Sequence, residues 1–199
     1  MTDEELSRRR HEAFRVLLGL FQAGRCVDLG AGHGSFAREA ASLGWEVAAV
    51  DARTERFPAD ERVTWIQADV RTVDLMPYDL VLCLGLFYHL TLEDQLHLLH
   101  RAAGRPMILD THLDHGSHTH PLSDVITFGE YQGRTYREPG HLTSSWGNAE
   151  SFWPTLASFH KMLGESGFTV LTLEPWIMSD RTFFLALPNG TRPRDVPAT

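Results

Sequence analysis

Two kinds of apolar run alternate along the chain. Glu46 to Asp51, Val63 to Asp69, Tyr78 to Gly85 and Arg105 to Asp110 each carry a short, nearly continuous apolar stretch. Runs of that length without alternation are what strands of a parallel sheet covered on both faces require. A similar run ends at Asp28, where the apolar residues Cys26, Val27 and Leu29 precede a glycine-rich turn. Helical spacing separates these runs. Phe14, Leu17, Leu18 and Phe21 predict a helix over 3–22, Ser35 to Leu43 predicts another that stops at Gly44, and Leu92 to Ala103 a third. Trp153-Pro154 opens a fourth, with Leu156, Phe159, Met162 and Leu163 on one face and Gly164 to Gly167 at its end. Phe168 to Leu173 and Thr182 to Leu187 read as two last strands, followed by a Pro-rich tail from Pro188. Strand and helix in alternation predict an α/β, doubly wound sheet within one domain over 1–199, its N-terminal helix within 1–24.

One long stretch breaks the rhythm. His112 to Asn148 is rich in His, Gly, Ser and Thr and has little periodicity. A structureless loop of that length inside a compact domain is uncommon and usually functional, so residues 112–150 are expected to be a substrate-binding insert or lid.

The turn after the first strand carries the most specific signal. Gly30, Gly32 and Gly34 stand at alternate positions, where residues that accept positive φ let backbone N–H groups approach a ligand closely. Dinucleotide loops space their glycines differently, and nucleoside triphosphate loops end in Gly-Lys-Ser/Thr. Here no Lys or Arg lies in the loop, and Asp28 precedes the first glycine by two. That carboxylate would repel an anion and favour a ligand with positive charge, such as an amino group or a sulfonium. Asp51, ending the second strand, stands at about the distance at which an acid meets a ribose in nucleotide-binding units.

Asp28-Leu29-Gly30-Ala31-Gly32-His33-Gly34 resembles the first motif of the class I S-adenosylmethionine-dependent methyltransferases, and the resemblance extends over roughly residues 25 to 187. It implies a mostly parallel seven-stranded sheet with an antiparallel C-terminal edge and helices on both faces. It also implies a cofactor site formed by Asp28, Gly30, Ala31, Gly32 and Gly34, by Asp51 and Ala52 at the ribose, by Asp69 and Val70 around the base, and by Leu84. Phe87 and Tyr88 would face the sulfonium.

An alcohol acceptor benefits from a base, or from a metal that favours the alkoxide. His89 after the fourth strand, Asp110 and His112 after the fifth, and His141 in the insert are the base candidates. The insert opens with further histidines, His115, His118 and His120, which read as solvated. Likeness to magnesium-dependent O-methyltransferases makes Asp110 and Asp114 the candidate ligands for Mg2+, although the fourth strand ends Leu84-Gly85 without the carboxylate those enzymes have there. Tyr131, Tyr136, Trp146 and Trp153 are suited to stacking on sugar faces. The segment 148–168 resembles bacterial methyltransferases of sugars and of a tRNA wobble uridine.

Composition narrows the acceptor. The net charge is −8, all but one of the 18 basic residues are arginine, and the run Arg8-Arg9-Arg10 reads as a solvated helix face. Nucleic acid is thereby disfavoured. No apolar run approaches the roughly 20 residues of a membrane span, and the acidic N-terminus is unlike a signal peptide, so a cytoplasmic location is expected. Cys26 and Cys83 fall in predicted strands and read as core thiols. The expectation is an O-methyltransferase for a small hydroxylated molecule such as a saccharide, with a tRNA modifier or an inert cofactor-binding module as alternatives; oligomeric state is open.

Overall fold

The computed structural model describes residues 2–116, 120–178 and 181–190, and the side chains of all of these except Asp3 and 174–178. His118 and the tail beyond residue 190 lie outside the described residues. Helix α1 (Asp3–Leu18) leads through strand β1 (Arg25–Leu29), helix α2 (Ser35–Ser42), β2 (Glu46–Asp51) and β3 (Val63–Gln67) to β4 (Leu80–Leu84). A single 3-10 turn (Phe87–His89), helix α3 (Leu92–Ala102) and β5 (Met107–His112) follow. The insert supplies β6 (Ile126–Phe128), β7 (Tyr131–Arg137) and β8 (Glu150–Pro154), before helix α4 (Leu156–Glu165), β9 (Phe168–Met178) and β10 (Arg181–Pro188).

Seven strands form the main sheet in the order β3-β2-β1-β4-β5-β10-β9. β1 to β5 run parallel, and β10 is antiparallel to both β5 and β9, as expected for the C-terminal edge. Each central strand is apolar on both sides because each side is covered. Val27, Leu29, Val50, Val81, Cys83 and Leu109 pack with Leu98 and Leu99 of α3 and Phe159, Met162 and Leu163 of α4. The alternate residues Cys26, Val47, Ala49, Leu80, Leu82 and Ile108 pack with Phe14, Leu17 and Leu18 of α1 and Phe36, Ala37 and Ala40 of α2. Cys26 and Cys83 are buried free thiols. Strand order reverses between β1 and β4, the point at which such sheets open a crevice at their carboxyl ends. No helix of the described residues is long and apolar enough to cross a membrane.

Three expectations need correction. The connections after β2 and after β3 are turns rather than helices, since 52–62 is crowded with charge and both links contain proline. The insert is not structureless: β6, β7 and β8 form a three-stranded antiparallel sheet. Finally, Trp153-Pro154 ends β8 instead of opening α4. A proline keeps the residue before it extended, and the helix starts at Leu156, capped by Thr155, whose side chain accepts from Ser158 N–H.

The insert is bolted to the main sheet. Phe152 N–H donates to Leu90 O at 3.0 Å, and the buried Gln95 amide donates to Phe87 O (3.0 Å) and Phe152 O (2.6 Å). Buried polar groups paired in this way fix the insert over the turn that follows β4.

Candidate active site

The glycine loop is shaped by close approach. Gly32 and Gly34 adopt φ of 55° and 61°, and a Cβ on Gly34 would stand 2.2 Å from the Trp65 ring. Gly30 and Ala31 N–H bond to Val50 O (2.8 and 3.0 Å), and Gly32 N–H bonds to Asp51 Oδ2 (2.9 Å), so the loop is strapped to the end of β2. Asp28 lies behind the loop, only 2% exposed. Its carboxylate accepts from the Ala37 N–H in the first turn of α2, whose Gly34 cap has no side chain to offer. Burial pushes the Asp28 carboxyl up to about 7; the Ala37 bond opposes this and the Asp51 charge adds to it. Asp28 therefore buttresses α2 and lines neither cavity described next.

Two adjoining cavities open at the carboxyl edge. The first, about 90 Å³, lies between Asp51, Ala52 and Arg53 after β2, Asp69 and Val70 after β3, and a roof formed by residues 142–146. The second, about 250 Å³, is bounded by Gly30, Ala31 and Gly32, by Leu84 and Tyr88, and by arginines. Gly30, Arg56, Gly85 and His89 belong to both. Of the expected cofactor residues, Asp28 and Gly34 alone stay behind the walls. The roof is held by Arg53, which donates to Ser144 O (2.9 Å) and Ser145 O (3.2 Å) and places its guanidinium 5.2 Å from the Trp146 ring centroid. Asp69 is clasped by Arg71 Nε (2.9 Å) and Nη2 (2.6 Å), which holds its carboxyl below the usual range.

Of the base candidates, His89 is the one on the cavity walls. Its Nδ1 is 2.9 Å from Glu138 Oε1, and Ser145 N–H donates to the other Glu138 oxygen at 3.0 Å. Burial would raise the Glu138 carboxyl, but the His89 bond and charge outweigh it and hold it low. An ionised Glu138 makes Nδ1 the donor, which leaves Nε2 as the basic nitrogen. Glu138 was not legible in the sequence: it is a lone acid in a stretch without pattern, and the β7–β8 pairing brings it to His89.

The other candidates take different roles. Asp110 is fully buried and accepts from Arg10 Nε (2.8 Å) and Nη2 (2.5 Å) and from Arg181 Nε (2.6 Å) and Nη2 (3.0 Å). Both oxygens are taken by guanidinium groups, so Asp110 serves neither as base nor as metal ligand here. His112 is stacked on Trp153 (4.7 Å) and edge-on to Tyr88 (4.5 Å), 6% exposed, with Arg181 Nη1 3.4 Å from its Nε2. It belongs to the packing between the two sheets. The His141 side chain is exposed and lines neither cavity. Asp114 accepts from Arg134 Nε (3.2 Å) and Gly116 N–H (2.9 Å), and among the described residues no group of three or more His, Cys, Asp or Glu could hold a metal ion. Phe87 is core, Trp153 is 1% exposed and Tyr131 donates to Glu165 (2.6 Å); of the four aromatic residues expected to stack on sugar, Trp146 lines the first cavity.

Solved structures with the same architecture are known. The N-terminal domain of EvdMO1 with S-adenosylhomocysteine bound is 24% identical over 95% of this chain and 82% of that one, with a TM-score of 0.70. The Burkholderia thailandensis 1,6-didemethyltoxoflavin-N1-methyltransferase is 17% identical over 94% and 80%, TM-score 0.64. A putative S-adenosylmethionine-dependent methyltransferase from Listeria monocytogenes is 16% identical over 90% and 97%, TM-score 0.61. No curated protein sequence matches the chain. The family profile described as methyltransferase domain matches residues 2–173, nearly the whole of the fold that carries the glycine loop, both cavities and His89, and the chain therefore belongs to the methyltransferase-domain family.

Proposed function

We propose that this chain uses S-adenosylmethionine to methylate a hydroxyl of a small molecule, with one domain carrying the cofactor site and residues 112–150 the acceptor side. The residues present suit that cofactor: a glycine loop whose Gly30 and Gly32 line the cavities without side chains, a strand-end carboxylate at Asp51 for ribose hydroxyls, and Ala52, Asp69 and Val70 to frame a base. Both Asp51 oxygens already accept one backbone N–H each, from Gly32 and Arg53, which fixes the carboxylate's aim. When bound, the cofactor supplies an activated methyl group on a sulfonium. The chain's own contribution is to place the acceptor oxygen, remove its proton and exclude water.

The observation that carries the oxygen assignment is the pairing of His89 with the buried Glu138 on a wall shared by both cavities. His89 Nε2 takes the hydroxyl proton, and Glu138 holds the ring in the correct tautomer and stabilises the imidazolium. An amine acceptor has less need of such a pair. The first cavity is well below the usual 300 Å³ or more of small-molecule sites, so the 142–146 roof rises from Arg53 to admit a nucleoside and then closes over it. The N-terminal domain of EvdMO1 has been crystallised in the presence of S-adenosylhomocysteine and D-fucose, which makes sugars the first acceptors to offer. Incubation with labelled donor and a panel of sugars, phenols and amines tests the proposal. Label found on nitrogen or carbon acceptors alone would overturn the oxygen assignment.

A further inference from the structure

The groups that fix His89 converge on the roof. Glu138 holds the ring, its Oε1 2.9 Å from Nδ1, and its other oxygen accepts from Ser145 N–H at 3.0 Å. Asn148 holds the backbone: its Nδ2 donates to His89 O at 3.2 Å and to Glu150 O at 2.7 Å, while its Oδ1 accepts from the Ser145 hydroxyl. Ser145 therefore bonds both groups that set the imidazole in place, one with its main chain and one with its side chain. Across the first cavity Ser145 is held in turn by Arg53, which donates to Ser144 O and Ser145 O and lies against the Trp146 ring.

The roof has a glycine at each end. Gly140 and Gly147 adopt φ of 78° and 80°, and residues without a Cβ absorb large changes in φ and ψ. Glu138 and Asn148 lie just outside those two positions, on the side of the insert sheet. Glu138 N–H donates to Ala149 O at 2.9 Å, and Asn148 is tied to Glu150 at the start of β8. The partners of His89 thus stay with the sheet, whereas Ser145 travels with residues 141–146. A roof that lifts from Arg53 withdraws, in one movement, the N–H that orients Glu138 and the hydroxyl that orients Asn148. Glu138 then keeps the Ser151 hydroxyl of β8 and the ring itself, and water replaces the lost donor, so the carboxylate is no longer held in one direction.

We propose that Ser145 is a positioning residue that makes the His89–Glu138 pair conditional on a closed roof: closure over a bound nucleoside aligns the base, and lifting disengages it. The proposal deepens the methyl-transfer reading and rests on it for the use to which His89 is put, though not for the linkage itself. Its consequence is an order of events. The acceptor hydroxyl meets an aligned base only once the cofactor is in place, and the movement that aligns it also shuts out water, so His89 Nε2 takes the proton in the closed state alone.

NMR of ¹⁵N-labelled histidine reads the linkage without an acceptor, the His89 signals being identified by their absence in His89→Ala. Arg53→Gln, checked by its melting curve, releases the roof and removes no group bonded to the His89 ring. In the wild type, latched by Arg53, His89 should be a single Nδ1-protonated form. In ligand-free Arg53→Gln it should average between the two tautomers, and saturation with S-adenosylhomocysteine should restore the single form. Signals unchanged by Arg53→Gln, or changed and not restored by the bound ligand, would overturn the proposal. Asn148→Ala tests the other arm by rate: kcat should fall about tenfold with the KM for S-adenosylmethionine within about twofold, and should fall no further when the change is added to His89→Ala. An equal fall in both backgrounds marks a merely structural role and overturns it as well. If His89→Ala transfers methyl as fast as the wild type, the base assignment fails and the spectra still decide the linkage. If the wild type binds no S-adenosylhomocysteine, the methyl-transfer reading fails, and the ligand-free spectra of Arg53→Gln and wild type decide it.

Discussion

Asp110→Asn is expected to unmake a buried ion cluster at the end of β5. Asp110 has no exposed surface and takes four hydrogen bonds, of 2.5 to 3.0 Å, from Arg10 and Arg181. Asp110→Asn keeps the shape and removes the charge, leaving two guanidinium groups facing each other, one of them on a side chain only 10% exposed. Removing one partner of a buried ion pair costs about 3–5 kcal/mol, because the remaining charge is stranded rather than because the pair itself was so favourable. At about 2–4 °C per kcal/mol for a chain of this size, the melting temperature should fall by about 6–20 °C, read by circular dichroism at pH 7. Arg10→Met, which leaves a neutral Asp110–Arg181 pair, should cost less than half as much. Acid should close the gap. Burial alone would raise the Asp110 carboxyl, but Arg181 and Arg10 outweigh it and hold it below its ordinary value of 3.8. The stability it contributes is fully present above that value and is lost as pH falls through the lower folded one. A variant melting within a degree or two of wild type at pH 7, or a gap that widens on acidification, would refute the structural assignment and return Asp110 to the list of catalytic candidates.

Asp28 should show the opposite pH dependence. Its folded pKa is raised from 3.8 to about 7 by burial, so its favourable contribution is complete below pH 3.8 and is lost as pH rises through 7. Over that span the wild type should lose roughly 4 kcal/mol relative to Asp28→Asn, the equivalent of about three pKa units; parallel pH profiles of the urea midpoints would contradict this. His89→Ala should lower kcat/KM toward the acceptor by about 10²–10⁴ with cofactor affinity preserved, and Glu138→Gln should lower it less. Equal losses of cofactor binding in either variant would remove the pair from catalysis. EDTA should leave transfer undiminished, because Asp110 and Asp114 are already paired with arginines; restoration of a lost activity by Mg2+ would show otherwise.

Local pattern carried much of this protein. Unbroken apolar runs such as Leu80 to Leu84 announce strands buried on both faces, and Gly30, Gly32 and Gly34 announce a backbone held at positive φ, since no other residue type adopts that conformation freely. The strand-end acids Asp51 and Asp69 could be placed at the carboxyl edge for the same reason: parallel strands of known direction put their last residues on one side. The sheet in the insert was not legible. β7 alternates poorly, with half-buried polar residues such as Arg134 and Thr135 that pair with β8 rather than with a core.

Tertiary structure alone decided what each titratable side chain does. Asp110 and His89 look alike as candidates in the sequence, each a polar group at the end of a central strand. Folding brings Arg10, 100 residues away, and Arg181, 71 residues away, onto the first, and brings Glu138, 49 residues away, onto the second. One carboxylate is thereby locked into an ion cluster while one imidazole stays on the wall of two cavities. A residue's type sets which proton it can hold; whether that proton can be used depends on charges that neighbours along the chain do not supply.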